Sequence, residues 1–200
     1  MNYFKSTRES AIAQPSALIN GIDTAAVTQM AADAVGPGAN PKAKFGVRTR
    51  WDGQTRTVAT VDRYSLGDKS YERSFTIVGD EPTELGGRDT GPNPVELLLA
   101  GLNACMSVAY VTSAAMKGVA IRSLQIETSG ELDVRGFLGV DETINPGFNE
   151  IHYTVRIDAE GTPEAISEIH QMVLKTSVNF ANLSKAVRMV PTLEIAGAKA

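Results

Sequence analysis

The chain carries one cysteine in 200 residues, Cys105, and that scarcity excludes more than any abundant residue does. A single cysteine cannot close an internal disulfide, and it leaves no CxxC pair and no zinc ribbon. Histidine is almost as rare. His152 and His170 sit in unrelated segments with no second ligand at metal spacing, so each reads as a structural histidine with a hydrogen-bonding partner. Nothing in the sequence calls for a metal or any other cofactor. Positive charge is thin as well: 19 basic residues against 23 acidic ones leave a net charge of −4, with no basic run, and aromatics make up only 6%. Phosphate binding needs a concentrated positive face, which argues against nucleic acid as a partner. The opening segment MNYFKSTRESAIAQ scatters its charges and has no apolar stretch of the kind a signal peptide needs. The expected home is therefore the thiol-reducing cytoplasm.

What is present is apolar material, 42% of the chain, enough for one well-packed domain with an extension. Residues 1–44 read as that extension and its linker. Within it DTAAVTQMAADAV has helical spacing, with Asp23 or Thr24 as N-cap and Gly36-Pro37-Gly38 as terminator. From Phe45 the period changes to two. FGVRTRW and TRTVATVDRY alternate around a DGQ turn and predict a hairpin, and YERSFTIV adds a third strand, an antiparallel meander.

A glycine-rich loop, GDEPTELGGRDTGPNP, then leads into a helix. Asn93 suits its N-cap and Pro94 its first turn; the apolar run continues to Lys117, with Gly118 just past the end. Residues 97–116 are apolar nearly all round, which predicts a helix buried on every side. A membrane span is the rival reading, because the run approaches the ~20 residues required. Gly101, Asn103, Ser107, Thr112 and Ser113 weigh against it, so no membrane partner is expected. The loop lacks the GK[ST] of a phosphate-binding loop and the strand–GxGxxG–helix spacing of a dinucleotide site.

Downstream, AIRSLQIETSGELDV predicts a long strand, RGFLGVDETINPGF a connection, and EIHYTVRID another strand. TPEAISEIHQMVLKTS is an amphipathic helix capped by Thr162, with Pro163 at its first position. A short helical piece from Val178 to Lys185 and a last strand, VRMVPTLEI, close the domain of residues 45–200. The class is α+β, with two groups of antiparallel strands on a central buried helix. A helix apolar around its whole circumference needs cover on every side, so part of that cover is expected from a second copy, a homodimer.

The block GPNPVELLLAGLNAC, followed by KGVAIRSLQIETSGELDVRGFLGV and NPGF, resembles the OsmC/Ohr family of osmotically inducible and organic-hydroperoxide-resistance proteins. The resemblance runs from about Phe45 to Ile195. It implies an OsmC-like fold, an intertwined α+β homodimer whose two long helices are wrapped by sheets. It also implies thiol chemistry, in which the helix cysteine attacks a peroxide oxygen and becomes a sulfenic acid. A second cysteine then closes a disulfide, while an arginine and a glutamate organise the first. Physically, the guanidinium favours the thiolate, the carboxylate fixes the arginine's fork, and an apolar pocket selects alkyl hydroperoxides.

Carried over residue by residue, Cys105 matches the attacking cysteine. The second cysteine falls on Thr176, or on Ser177 if the register slips by one, and neither can form a disulfide. The place directly after the proline holds Val95, and the carboxylate is one step later at Glu96, rotated by ~100° on the helix. Arg50 and Arg56 qualify as the arginine, with Trp51 at the closest alignment and Arg88 in the loop as a third candidate. Each has a plainer reading too. A helical cysteine is often packing, Glu96 can complement the helix dipole, and the arginines can be solvated strand residues. Two functions follow: a one-cysteine peroxidase using an external thiol or dithiol reductant, or a protein that binds a small apolar ligand or senses redox state without turnover.

Overall fold

The computed structural model describes residues 18–195; the segment read for a leader lies outside them. The chain divides into two compact units, residues up to Pro92 with Ala114–Ile121, and Asn93–Ser113 with residues from Arg122 onward.

The first unit opens with a feature absent from the sequence reading. Strands β1 (Leu18–Ile19) and β2 (Ile22–Asp23) form a two-residue hairpin. Its Asn20-Gly21 corner has φ of 54° and 76°, left-handed backbone that this dipeptide tolerates best. The Asn20 side chain donates to the Val119 carbonyl at 2.9 Å and accepts from the Ile121 N–H at 2.8 Å. One amide thus ties residue 20 to a segment a hundred positions away. Helix α1 (Thr24–Val35) follows, with the Asp23 carboxylate accepting from the Ala26 N–H and Gly36 ending it. None of its residues is buried.

The meander is present with one change. Strand FGVRTRW breaks at Gly46-Val47 into β3 (Ala43–Phe45) and β4 (Arg48–Trp51), both antiparallel to one edge of β5 (Thr57–Leu66). The other edge of β5 pairs with β6 (Lys69–Gly79). Register places Trp51, Ala59, Val61, Phe75 and Ile77 on one face, where Trp51, Phe75 and Ile77 are exposed.

Asp80 organises the loop after β6. Its side chain is fully buried, and its two oxygens accept five hydrogen bonds. Oδ1 takes the Thr55 hydroxyl at 2.7 Å and the Glu81 N–H at 3.0 Å. Oδ2 takes the Thr90 hydroxyl at 2.7 Å and the N–H groups of Thr90 and Arg88 at 3.2 and 3.3 Å. A buried charge is tolerable only when its lone pairs are filled in this way. The loop closes tightly enough that a Cβ on Gly87 would lie 1.7 Å from the Glu81 carbonyl oxygen, so only glycine fits there.

In the second unit, helix α2 begins as expected at Pro94 and runs Pro94–Met116, its last turn belonging to the first unit. By length and composition alone it could cross a membrane, with mean hydropathy 1.5 over its most apolar window. Burial on every side is corrected by the structure. Leu102, Met106, Tyr110 and Ala114, spaced four apart, form a buried stripe, whereas Leu98, Val108 and Met116 are exposed. Ala115 is buried beside that stripe at the end of the helix. Strands β7 (Ile121–Gly130) and β8 (Ile151–Ala159) make a two-stranded sheet, and the connection between them holds one short helix, α3 (Val134–Phe137).

Helix α4 (Pro163–Thr176) has Thr162 as N-cap and Ile169 and Val173 fully buried. Each such side chain contributes about 1.5–3 kcal/mol relative to exposure. Helix α5 (Val178–Ser184) follows at once, capped by Ser177. The expected last strand does not form: residues 187–195 are irregular and exposed throughout. A strand needs a neighbour's ladder, Pro191 has no N–H to contribute, and Val187, Met189, Val190 and Leu193 point to solvent.

The hydrogen bonds from Thr90 and Thr55 hold the Asp80 carboxyl well below the usual carboxylate range, against the opposing effect of burial. A carboxyl depressed in the folded state stabilises fully above its unfolded value, about 3.9, and loses that contribution as pH falls below it. Asp80→Asn, which cannot accept at both positions, is expected to lower the melting temperature by several degrees at pH 7. The difference from wild type should shrink steadily in melts taken below about pH 4.

Candidate active site

Cys105 lies midway along α2 and is half-buried. Its sulfur accepts from the Ser177 hydroxyl at 3.4 Å and from the Asn179 backbone N–H at 3.4 Å. Ser177 is itself buried and is held from both sides, its N–H on the Val173 carbonyl and its oxygen accepting from Phe180 N–H as the cap of α5. Asn179 also donates its side-chain amide to the Gly101 carbonyl at 2.8 Å, one turn before the cysteine. The turn between α4 and α5 is therefore fastened to α2 at three atoms. Burial alone would push the thiol up. The N–H of Asn179, the hydroxyl of Ser177 and the N–H of Val178 outweigh it and hold the thiol below its ordinary value.

The two candidates for the second-cysteine position separate cleanly. Thr176 is exposed and gives its hydroxyl to the Met172 carbonyl at 2.9 Å, within its own helix. Ser177 is the residue against the sulfur. Glu96 forms a reciprocal cap with Asn93: the Asn93 N–H donates to the Glu96 carboxylate, and the Glu96 N–H to the Asn93 side chain, both at 2.8 Å. Such a capping box stabilises a helix start by about 1 kcal/mol, and it occupies the Glu96 carboxylate locally.

The arginine candidates meet one another in the first unit. Arg50 and Arg56 both form ion pairs with Asp52 at the hairpin turn, and Arg88 donates to the Asp52 carbonyl at 3.4 Å. Trp51 donates its indole N–H to the Gln54 carbonyl at 2.7 Å. On α2, Asn103 and Ser107 are occupied as well. Asn103 donates to the Ile126 carbonyl at 3.3 Å and accepts from the Thr128 hydroxyl, while Ser107 bonds back to the Asn103 carbonyl. His170 pairs with Tyr110 and His152 with Glu150.

Sequence reasoning missed Asn179 and the Tyr110–His170 pair. The signal for the first was local: Ser177 followed by Val-Asn-Phe reads as an N-cap whose early N–H groups are free to donate. The second joins residues sixty apart and has no local signature.

An apolar cavity of about 390 Å³ lies in the second unit, lined by Leu98, Leu102, Tyr153, Phe180 and Leu183, with Asn149 and Glu150 as its polar lining. Leu102 is one turn before Cys105, and Phe180 follows the residue that donates to its sulfur.

The geometry predicts which engineered cysteine will bond. Ser177→Cys should oxidise in air to a disulfide with Cys105, removing both thiols from a denaturing thiol titration. Thr176→Cys should leave both thiols titratable. The opposite pattern would contradict the placement of Ser177.

The sequence model of the family described as OsmC-like protein matches residues 87–190, just over half of the chain. Three solved structures share the fold at low identity. An OsmC-like protein from Mycoplasma pneumoniae is 21% identical, with 72% of this chain and 89% of that one covered and a TM-score of 0.55. A Psychrobacter arcticus protein, provisionally described as osmotic-stress-induced and of the detoxification response, is 16% identical over 74% and 90%, with a TM-score of 0.53. An OsmC-like protein of unknown function from Vibrio cholerae is 10% identical over 69% and 92%, with a TM-score of 0.52. No curated protein matches the chain. With the α+β architecture and the cysteine-bearing helix inside the matched region, the chain belongs to the OsmC-like protein family.

Proposed function

We propose that the protein is a one-cysteine thiol peroxidase that reduces small organic hydroperoxides through Cys105. The observation that carries this reading is a half-buried thiol held below its ordinary pKa by donors aimed at the sulfur. The thiolate is the nucleophile, so those donors raise the reactive fraction at neutral pH. The thiolate attacks the terminal oxygen of the hydroperoxide. An S–O bond forms, the O–O bond breaks, and the alkoxide leaves and takes a proton from water as the alcohol. Cys105 is then a sulfenic acid. With Ser177 in the place of a second sulfur, an external thiol attacks the sulfenic acid, releasing water and leaving a mixed disulfide. A further thiol restores Cys105 and carries off the disulfide. The apolar cavity beside α5 supports an alkyl or aryl substrate over hydrogen peroxide.

One observation favours a second reading, binding of a small apolar ligand or redox sensing without turnover. The donors to the sulfur are all neutral, and the arginine candidates are engaged at Asp52. Neutral donors favour a thiolate less than a guanidinium does.

The partner that the uncovered surface fits is a second copy of the chain. Phe45, Trp51, Phe75, Leu98, Val108 and the apolar tail residues are too exposed for an isolated subunit. The acidic balance supports a role without nucleic acid, and the single free thiol suits the reducing cytoplasm.

Cumene hydroperoxide followed by dimedone should add one dimedone mass at Cys105, and Cys105→Ser should add none. An unmodified Cys105, with the hydroperoxide consumed by a small-molecule thiol control, would refute the peroxidase. Light scattering at micromolar concentration should give the mass of a dimer, and a monomer mass would refute the partner.

A further inference from the structure

Outside the sulfur and its donors, the second unit holds a part-buried polar pair that joins α2 to α4 and that the proposed reaction does not use. Tyr110 is almost completely buried on α2, and its hydroxyl forms a hydrogen bond with Nδ1 of His170 on α4. Burial, with the neighbouring Tyr153, pushes the Tyr110 hydroxyl up to about 12, so it keeps its proton at neutral pH and can bond Nδ1 of His170 in either tautomer of the ring.

The spacing of this pair is what gives it consequence. Along α4, His170, Val173 and Ser177 are three and four residues apart, one continuous face ending at the hydroxyl on the sulfur. Along α2, Tyr110 lies five residues beyond Cys105. The two helices thus share two side-chain hydrogen bonds: Tyr110 to His170 at one place and Ser177 to Cys105 two turns of α4 later. Near these bonds in the chain, Met106 on α2 and Ile169 and Val173 on α4 are fully buried, and apolar packing resists separation while tolerating a small slide or rotation. A directional hydrogen bond between the helices removes that freedom.

We propose that Tyr110 and His170 are positioning residues, whose hydrogen bond sets the register of α4 on α2 and so holds the Ser177 hydroxyl and the Asn179 N–H against the Cys105 sulfur. The inference rests on the proposed function only in taking Cys105 as the thiol that reacts. Neither residue touches the sulfur. Both act through the start of α5, where a slide of a few tenths of an ångström lengthens contacts already at 3.4 Å.

The test is the pH profile of iodoacetamide alkylation at Cys105, which needs no peroxide and no turnover. Tyr110→Phe keeps the packing and removes the hydroxyl, and its alkylation midpoint should rise by about half a pH unit or more. His170→Leu should shift it in the same direction. His170→Asn, whose side-chain amide can serve the Tyr110 hydroxyl in place of Nδ1 as either partner, should return it towards wild type. Ile169→Val is the control, since it loosens a fully buried position beside His170 while leaving the hydrogen bond. It should lower the melting temperature without moving the midpoint.

A wild-type midpoint in Tyr110→Phe, or an equal shift in Ile169→Val, overturns the proposal. If Tyr110→Phe does not fold, the contrast between His170→Asn and His170→Leu carries the same test, and equal midpoints in those two overturn it. A protein that alkylates as described but turns over no hydroperoxide would defeat the peroxidase and leave the positioning pair standing.

Discussion

The sulfur of Cys105 can be a chemical group rather than packing only because the chain brings residues 177–179 to it across more than seventy positions. A hydroxyl and two backbone N–H groups at the start of a short helix hold it down, and burial pushes it up. The balance between them sets the thiolate fraction. Each of those hydrogen bonds contributes only about 1 kcal/mol net, too little to place two helices. Placement comes from the apolar stripe Leu102, Met106 and Tyr110 on α2 and from Ile169 and Val173 on α4, all fully or nearly fully buried. The core decides where the groups stand, and the polar contacts decide what the sulfur does there.

A different constraint governs the first unit. Its centre is a carboxylate, Asp80, buried with all its donors supplied by Thr55, Glu81, Arg88 and Thr90. The loop leading to α2 wraps that one side chain, with the backbone of Glu81, Arg88 and Thr90 turned towards it. Meanwhile the large side chains Trp51 and Phe75 stand open on the sheet beside it. The unit is locally well determined and still has a face left to cover, which is the physical basis for proposing a second copy.

What was legible in the sequence was local. Asn93, Pro94 and Glu96 mark a helix start by their own hydrogen-bonding needs, and the capping box forms there. The meander, the Thr162-capped helix and the short helix after Ser177 follow from alternation, periodicity and caps in the same way. Asn20-Gly21 is a hairpin signal in only two residues, inside a segment whose pattern reads as a helical extension. The illegible part depended on distant partners. Whether Thr176 or Ser177 meets Cys105 is decided by how α4 ends against α2, and adjacent residues cannot reveal that. Asp80 resembles any other loop carboxylate until the threonines from two other segments are seen around it. The tail from Val187 has the alternation of a strand, and a strand also requires a neighbour that the described residues of one chain do not supply.

The central claim is that the surroundings of Cys105 favour its thiolate, and titrating the ultraviolet absorbance of the thiolate tests this most directly. The protein has no other cysteine, so the difference between wild type and Cys105→Ser isolates this one group. The account predicts a midpoint clearly below about 8.5, the value of an ordinary cysteine. A midpoint at or above that value would mean that burial outweighs the donors from Ser177 and Asn179, and that Cys105 is packing.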